Sequence, residues 1–282
     1  MALEGGTAAE VTVMTYNIWY PHHRDEVARV VRELAPDVLV VNETPKAPFI
    51  WRWRCRRLVD SWGMRYAAGG RDAGSNLICV SGRVAVVATS VRRLRQPLCK
   101  PRRGVVAARL RVAGAELAVV GVHLSLIASS RPGEAAQAVA VATALTGPVV
   151  VAGDLNEGPR GRAWQVFRDA GYADAAAQSL PSDQAGDAGE VAGQPGASPS
   201  DAAADAAADA GAADAGNAGD PTYPSWRPVE RIDALLVRGA EVRGAGVPDL
   251  PAGVLAAASD HLPVVAHLAL PRRELAGPWR RL

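Results

Sequence analysis

Cysteine is scarce in this chain. Its 282 residues include three, Cys55, Cys79 and Cys99, an odd number with no spacing typical of metal ligands. Such a set excludes a disulfide-stabilised scaffold and a cysteine zinc site. It is typical of a protein kept in a reducing compartment, so we expect a cytoplasmic location.

Long apolar segments are also missing. The first ten residues contain neither the basic region nor the apolar stretch of a secretory signal, and we expect residues 1–10 to be a flexible N-terminus. The longest uncharged stretch of the part expected to be ordered, Ala135 to Gly153, is interrupted by Gln137 and by Gly147-Pro148. It predicts a helix followed by a strand, so we expect no membrane span.

Basic residues are absent from one part of the chain. Between Asp169 and Trp226 there are ten acidic residues and no lysine or arginine. Because the whole chain has a net charge of +2, removing this span and its charge of −10 leaves +12 for the rest. A basic remainder suits a polyanionic substrate but does not require one.

Large apolar side chains are nearly absent from residues 183–220, which consist mainly of Ala, Gly, Asp, Ser and Pro. Such a segment buries too little surface to offset the entropy cost of ordering it. We therefore expect 183–220 to be a disordered acidic insertion. It interrupts a single domain over residues 11–282, because the strands predicted after it are needed to complete the core.

The rest of the chain alternates between strand and helix patterns. Residues 24–34 place Val27, Val30, Val31 and Leu34 at the spacing of an amphipathic helix. Short β-branched runs separated by glycine predict antiparallel meanders. The predicted helices are 24–34, 49–62, 132–145 and 160–170. The predicted strands are 11–17, 38–41, 76–81, 84–89, 104–112, 116–123, 148–152, 232–237 and 262–270.

Polar side chains end or interrupt several of these apolar strands. Asp154 and Asn156 follow the apolar run 148–152 and, two residues apart in an extended segment, project to the same side. The carboxylate can bind a hard cation or take a proton from water, and the amide can donate to a phosphate oxygen. An Asx turn explains the same pair without any site. Because buried charge is costly unless it is paired, we expect a shared cleft with the other strand-end residues: Asn17, Glu43, His123, Asp233, Asp260 and His261.

Six short motifs resemble, in order, those of the endonuclease/exonuclease/phosphatase superfamily, which includes the DNase I-like nucleases, abasic-site endonucleases, inositol polyphosphate phosphatases and neutral sphingomyelinases. Together they cover nearly the whole chain outside the insertion. The resemblance implies a four-layer α/β sandwich: two mixed, mostly antiparallel sheets packed face to face with helices outside. The motifs are Thr15-Tyr16-Asn17-Ile18-Trp19, Val41-Asn42-Glu43-Thr44, Val122-His123-Leu124, Gly153-Asp154-Leu155-Asn156, Arg231-Ile232-Asp233 and Ser259-Asp260-His261-Leu262-Pro263-Val264.

The resemblance also implies a metal site. Asn17 and Glu43 match the positions that hold a divalent cation, with Glu43 as the direct ligand. Asp260 matches a position near the metal. Mg²⁺ is the implied ion, because a few hard oxygen ligands completed by water and substrate are typical of it, and Mn²⁺ is the alternative.

The catalytic roles are implied in the same way. Asp154 matches the residue that orients or deprotonates the attacking water, and Asn156 the one that holds this water and the phosphoryl group. His261 matches the histidine that contacts the scissile phosphate, and Asp233 the carboxylate that fixes its tautomer. His123 matches a second phosphate contact.

The substrate side is less defined. Arg102-Arg103-Gly104 resembles a segment near the substrate in relatives, with a solvated edge as the alternative for its arginines. The run from Pro221 to Pro228 resembles a segment of bacterial members. We assign Arg103, Trp226 and Arg227 to substrate binding. Fifteen Lys and Arg, against two acidic residues, lie in the range 51–111. This excess fits a track for a nucleic-acid backbone or a solvated basic face. Three tryptophans within it stack on bases or, as we favour, pack in the core: Trp51, Trp53 and Trp62.

Taken together, the motifs predict a Mg²⁺-dependent phosphoesterase in which an activated water attacks a phosphate ester in line. The substrate is either a nucleic-acid phosphodiester or a small phosphorylated metabolite. The alternative is a catalytically silent binding module that kept the fold. The sequence sets no oligomeric state.

Overall fold

Two six-stranded sheets form the centre of the protein, whose computed structural model describes residues 8–96, 102–178 and 219–272. The strands are β1 (Ala9–Asn17), β2 (Val38–Asn42), β3 (Arg65–Gly70), β4 (Asn76–Val80), β5 (Val84–Arg93), β6 (Gly104–Val112), β7 (Ala115–His123), β8 (Val149–Asp154), β9 (Ala173–Asp174), β10 (Asp233–Arg238), β11 (Glu241–Gly246) and β12 (Val264–Leu270). The helices are α1 (Arg24–Leu34), α2 (Trp51–Ser61), α3 (Arg131–Thr143), α4 (Arg162–Asp169), α5 (Ala175–Gln178) and α6 (Ala252–Ala258).

The first sheet has the strand order β11-β12-β1-β2-β4-β3 and the second β5-β6-β7-β8-β10-β9. Within these sheets β1 with β2 and β7 with β8 run parallel, and the other neighbouring pairs are antiparallel. Both sheets are therefore mixed and mostly antiparallel, as predicted.

Three apolar clusters separate four layers. The central cluster lies between the sheets and is built from small and β-branched side chains of both, such as Val40, Ile78, Val106 and Val119. A second cluster packs α1, α2 and α6 against the first sheet, and a third packs α3 and α4 against the second. The predicted four-layer α/β sandwich is confirmed.

Helix α1 forms where the spacing of apolar residues in the sequence predicts a helix. It spans the predicted residues 24–34 and buries Val27, Val30 and Val31 at positions i, i+3 and i+4. Ala28 is buried with them, and the polar residues of the helix face water. The chain leaves the helix at Ala35, which has a left-handed conformation.

Strands β3, β9 and β11 and helices α5 and α6 were not predicted. Strand β3 ends in a glycine pair because neighbours approach its backbone closely. A Cβ on Gly69, at φ +103°, would lie 2.2 Å from the Asn76 carbonyl oxygen, and one on Gly70 would lie 2.4 Å from the Trp51 ring. Close approach to the backbone thus removes the side chains that make a strand recognisable in a sequence.

Strand β1 begins at Ala9, where it pairs with Leu270 of β12. Residues 9–10 therefore belong to the sheet rather than to the predicted flexible N-terminus. The rest of that N-terminus, most of the predicted insertion 183–220, and Cys99 lie outside the described residues. Cys55 and Cys79 are buried free thiols. Within the described ranges no helix has the length and apolar character needed to cross a membrane.

Candidate active site

The two parallel strand pairs bring polar side chains of both sheets to one edge of the sandwich. In the first sheet Asn17 is in register with Asn42, and in the second His123 is in register with Asp154. The two pairs meet across the sheets, since Asn17 Nδ2 donates to Asp154 Oδ2 at 3.1 Å. The predicted convergence of strand ends therefore occurs at this edge, which we call the site edge.

Asn42 joins the sheets at the site edge. Its Nδ2 donates to the Val122 carbonyl and to Asn76 Oδ1, both at 2.8 Å, and its Oδ1 accepts from the backbone N–H of Asp154 at 2.9 Å. A buried amide that hydrogen-bonds to groups on three strands fixes the backbone position of Asp154. The sequence analysis missed this role, although an amide at the end of a buried apolar strand was a signal for it.

Gly153 shapes the chain just before Asp154. It has φ +143°, and a Cβ there would lie 1.9 Å from the Val122 carbonyl oxygen. Strands β7 and β8 can therefore approach each other at this point because residue 153 has no side chain.

The Asx turn weighed as an alternative for Asp154 and Asn156 is present. Asp154 Oδ1 accepts from the Asn156 backbone N–H at 2.8 Å. Asn156 has φ +53° and its Nδ2 donates to the Leu124 carbonyl at 2.9 Å. The turn leaves Asp154 Oδ2 directed at Asn17 and His123, so it orients the carboxyl group and does not compete with a site.

Asp154 is almost fully buried and carries the most contacts of the site. Burial, followed by the charge of Asp233, raises its pKa to about 7, against the opposing effects of His261, the Asn156 N–H and Asn17. A carboxyl group with such a pKa is ionised at a slightly alkaline pH and still binds a proton strongly. It is suited to accept a proton from water.

His261 and Asp233 form a buried hydrogen-bonded pair. His261 Nδ1 donates to Asp233 Oδ2 at 2.8 Å, and His261 Nε2 lies 3.9 Å from Asp154 Oδ2. Burial would lower the pKa of His261, but the charge and hydrogen bond of Asp233, with Asp154 and Asp260, raise it to about 9. The imidazole is therefore cationic near neutral pH and directs Nε2–H into the site.

His123 is neutral by contrast. Burial, followed by the nearby positive charges of Arg103, His261 and Lys46, lowers its pKa well below its usual range. Its Nε2 lies 3.3 Å from Asp154 Oδ2, so the contact is dipolar and not an ion pair. The site thus holds one cationic and one neutral histidine, both beside the same carboxyl group.

The predicted metal ligands lie at the site edge. Glu43 follows Asn42 at φ +60°, is half-buried, and its carboxylate has no hydrogen bond or ion pair with any described residue. Asp260 is half-buried, with Oδ1 3.3 Å from the Ser259 hydroxyl, which donates to the Asn17 carbonyl at 2.7 Å. A carboxylate without a protein partner at the end of a strand fits a cation ligand.

A second acidic group could also hold a cation. Ligand atoms of Asp154, Asp233 and His261 lie within 4.8 Å of one another. Asp233 Oδ1 is buried and has no hydrogen-bond partner in the described part of the chain. The His261 Nδ1 proton is shared with Asp233, however, so this group is better suited to hold and orient a proton than to bind a metal.

Arg103 points toward the predicted base and metal ligand. Burial lowers the pKa of its guanidinium, and the charges of Asp154, Glu134 and Glu43 act in the opposite direction. Its buried Nε has no hydrogen-bond partner among the described residues. A cationic N–H group that is left free beside the carboxylates of the site fits an anionic ligand.

Trp226 and Arg227 lie at the rim and not among the buried groups. Trp226 is 67% exposed and Arg227 is also exposed. Their segment is tied to the site by the Ser225 N–H, which donates to the Asp260 carbonyl at 2.7 Å. The segment also places Tyr223 against His261, with ring centroids 4.9 Å apart.

A buried glutamate on α3 was missed by the sequence analysis. Glu134 accepts from the Ser125 N–H at 2.7 Å and from Gln96 Nε2 at 2.6 Å, and Gln96 Oε1 accepts from the Arg103 N–H at 2.8 Å. Glu134 therefore positions the segment after His123 together with the segment that carries Arg103. Nothing in its sequence surroundings distinguishes it from an exposed glutamate in the first turn of a helix.

Glu134→Gln is expected to lower kcat/KM roughly tenfold. The new amide NH2 group of residue 134 would face the Gln96 NH2 group, so one buried group would be left without a hydrogen bond. Adding Gln96→Glu restores a donor–acceptor pair and should bring kcat/KM back to within about threefold of the wild type. The measurement is the hydrolysis assay proposed below, with exposed Glu33→Gln as the control. Additive losses in the double variant would contradict a positioning role for this pair.

The sequence profile of the Endonuclease/Exonuclease/phosphatase family matches residues 14–261. None of the curated proteins compared with the chain matches it.

Several solved structures share the fold. The endonuclease/exonuclease/phosphatase from Bacteroides vulgatus is similar with a TM-score of 0.67 and 17% identity, over 93% of this chain and 99% of that one. ANGEL2, a 2′,3′-cyclic phosphatase, is similar with a TM-score of 0.63 and 16% identity, over 93% of this chain and 96% of that one. The Bacteroides thetaiotaomicron mannosyl-6-phosphatase Bt3783 is similar with a TM-score of 0.63 and 14% identity, over 92% of this chain and all of that one. Because the profile match spans well over half of the chain, the protein belongs to the endonuclease/exonuclease/phosphatase family.

Proposed function

We propose that the protein is a metal-dependent phosphoesterase that hydrolyses a phosphate ester by in-line attack of water. One observation carries the proposal: the Asp154 carboxyl is contacted by Asn17 and lies beside neutral His123 and cationic His261. Family membership supports the same reaction class. A binding module that had lost catalysis would not need a buried carboxyl whose pKa is close to neutral.

Each residue of the site has a separate role in the proposed reaction. Asp154, once ionised, accepts the proton of the attacking water, and its Asx turn keeps Oδ2 aimed at the reacting atoms. His261, held in one tautomer by Asp233, donates Nε2–H to a phosphoryl oxygen and stabilises the charge that develops there. His123 and Arg103 supply further donors to the phosphate, and we assign Asn156 to the same phosphoryl pocket.

Glu43 would hold the divalent cation, together with Asn17 and Asp260. Its carboxylate is available, because no described residue binds it, and all three residues lie at the edge that carries the site. A bound Mg²⁺ supplies positive charge next to the phosphate and the leaving oxygen. Mn²⁺ would fit the same oxygen ligands.

The substrate is a phosphate ester in either of two classes. A small phosphorylated metabolite is supported by the fold shared with the mannosyl-6-phosphatase Bt3783, and a nucleic-acid phosphodiester by the fold shared with the 2′,3′-cyclic phosphatase ANGEL2. Buried free thiols are consistent with a reducing, cytoplasmic environment.

Hydrolysis of p-nitrophenyl phosphate and bis-p-nitrophenyl phosphate tests the function and the metal together. We expect turnover with Mg²⁺ or Mn²⁺, none with EDTA, and a Glu43→Gln variant that needs on the order of 10-fold more Mg²⁺ for half-maximal rate. Exposed Glu241→Gln is the matched control. Turnover of neither ester, nor of plasmid DNA, would identify a binding module, and full activity in EDTA would exclude the metal.

A further inference from the structure

Exposed large apolar side chains are concentrated at one end of the sandwich. In the described part of the chain eleven such side chains are exposed, and three of them lie in strand β5. The other eight belong to four segments that border the site: Trp19, Phe49 to Trp53, Leu126 with Ile127, and Trp226 with Val229.

The topology places these four segments at the site edge. Trp19 follows the end of β1, Phe49 lies between the end of β2 and α2, and Leu126 follows the end of β7. Trp226 precedes β10, whose first residue, Asp233, is in register with Asp154. Because these strand ends converge on the Asn17–Asp154 contact, the apolar side chains surround the mouth of the site.

Phe49 is the most prominent of them. Its side chain is fully exposed, and its backbone has φ +65°, a conformation that is costly for a bulky residue. Trp53, one turn further along, is 58% exposed. Of the three tryptophans expected in the core, Trp51 and Trp62 are buried and Trp53 is not. Packing against the described residues 8–96, 102–178 and 219–272 does not account for a phenylalanine in this position.

Helix α2 adds positive charge beside these apolar side chains. Arg52, Arg56 and Arg57 are exposed, and none of them pairs with an acidic group among the described residues. Their guanidinium carbons lie over the rings of Trp51, Tyr66 and Trp53, at 5.0, 5.6 and 5.1 Å. The apolar face of α2 packs on the first sheet, so its outer face offers arginines while Phe49, Ile50 and Trp53 offer exposed apolar side chains. Apolar side chains next to unpaired cationic groups are the two features by which a protein surface binds an anionic membrane interface.

We infer that the site edge docks on an anionic lipid bilayer. Phe49 and Trp53 enter the interface, and the arginines of α2 contact the anionic headgroups. A second copy of the chain is disfavoured, because a two-fold contact would place these arginines against one another. A nucleic acid would not use aliphatic Ile50, Leu126 and Ile127, which cannot stack on bases.

Co-sedimentation of the full chain with lipid vesicles, in EDTA, tests this docking. The wild type is expected to bind vesicles with about 30 mol% phosphatidylserine far better than phosphatidylcholine vesicles, with binding reduced in about 0.5 M NaCl. Phe49→Ser with Trp53→Ser should weaken binding at least roughly tenfold. Replacing Arg52, Arg56 and Arg57 by Gln should weaken it on the order of 100-fold, since each arginine contributes about fivefold.

Val86→Ser with Val87→Ser, in β5, is the matched control, because these side chains are 38% and 44% exposed and lie toward the end of β5 that is remote from the site edge. Leu126→Ser tests the edge on the other sheet and should weaken binding as well. Equal binding to both vesicle types, equal loss in the β5 control, or binding of single-stranded DNA without binding of vesicles would overturn the inference. The readout is binding in EDTA, so its outcome is independent of whether the proposed hydrolysis occurs.

Discussion

Asp154→Asn is expected to lower kcat on bis-p-nitrophenyl phosphate by about 10³-fold, the contribution of a well-placed general base. The replacement is nearly isosteric and keeps one oxygen for the Asn17 donor at Oδ2. It removes the group that accepts the proton from water. The fold should persist, because the backbone N–H of residue 154 remains bonded to Asn42.

The same variant makes a prediction about stability. Burial and Asp233 raise the pKa of Asp154 from 3.8 in the unfolded chain to about 7 in the folded protein. The folded protein therefore binds this proton more tightly, so the stabilisation is complete below pH 4 and is lost as the pH rises through 7. Asparagine does not titrate. The difference in Tm should move in favour of the D154N variant between about pH 5.5 and pH 8.5.

Thermal unfolding in EDTA measures this difference, with exposed Asp249→Asn as the control for the loss of one surface carboxylate. Loss of the Asn156 bond to Oδ1 costs about 1 kcal/mol at any pH, so the trend with pH is the informative quantity. A Tm difference that stays constant with pH would show that the Asp154 pKa is not raised. A variant that retains most of the wild-type activity would remove Asp154 from the mechanism.

Sequence patterns predicted the elements in which one face is continuously apolar. Helix α1 and strand β6 have the predicted bounds, since the buried positions of α1 recur at helical spacing and those of β6 form a nearly continuous run. Strand β11 could not be found in this way. Its Glu-Val-Arg-Gly-Ala-Gly sequence forms an edge strand with a bulge, and such a strand needs few apolar residues.

The residues of the site also differ in whether the sequence alone could identify them. Asp154, Asp233 and His261 were predictable because charged or imidazole side chains beside apolar strands need a partner, and each of them has one in the structure. Asn42 and Glu134 were missed, because Asn42 binds backbone groups of residues distant in sequence and Glu134 reaches the segment of Arg103 only through Gln96. Which carbonyl or N–H lacks a partner becomes visible only once the two sheets are packed together.

Asp233→Asn is expected to move the whole pH profile of kcat/KM to lower pH. In the wild type the profile should rise near pH 7, as Asp154 ionises, and fall near pH 9, as His261 loses its proton. These are apparent pKa values of an interacting group, because the charge of Asp233 raises both. Asparagine can still accept from His261 Nδ1 but carries no charge.

Without the Asp233 charge, burial lowers the His261 pKa, and the cationic donor is lost at a lower pH. The Asp154 pKa falls as well, so the base ionises earlier. The activity of the variant should therefore drop at least roughly tenfold at about pH 9, where half of the wild-type His261 is protonated, and much less at about pH 6.5. Asp249→Asn should leave both limbs in place. If D233N lowers kcat/KM by the same factor at every pH, Asp233 positions the His261 ring without setting its charge, and the electrostatic part of the mechanism is wrong.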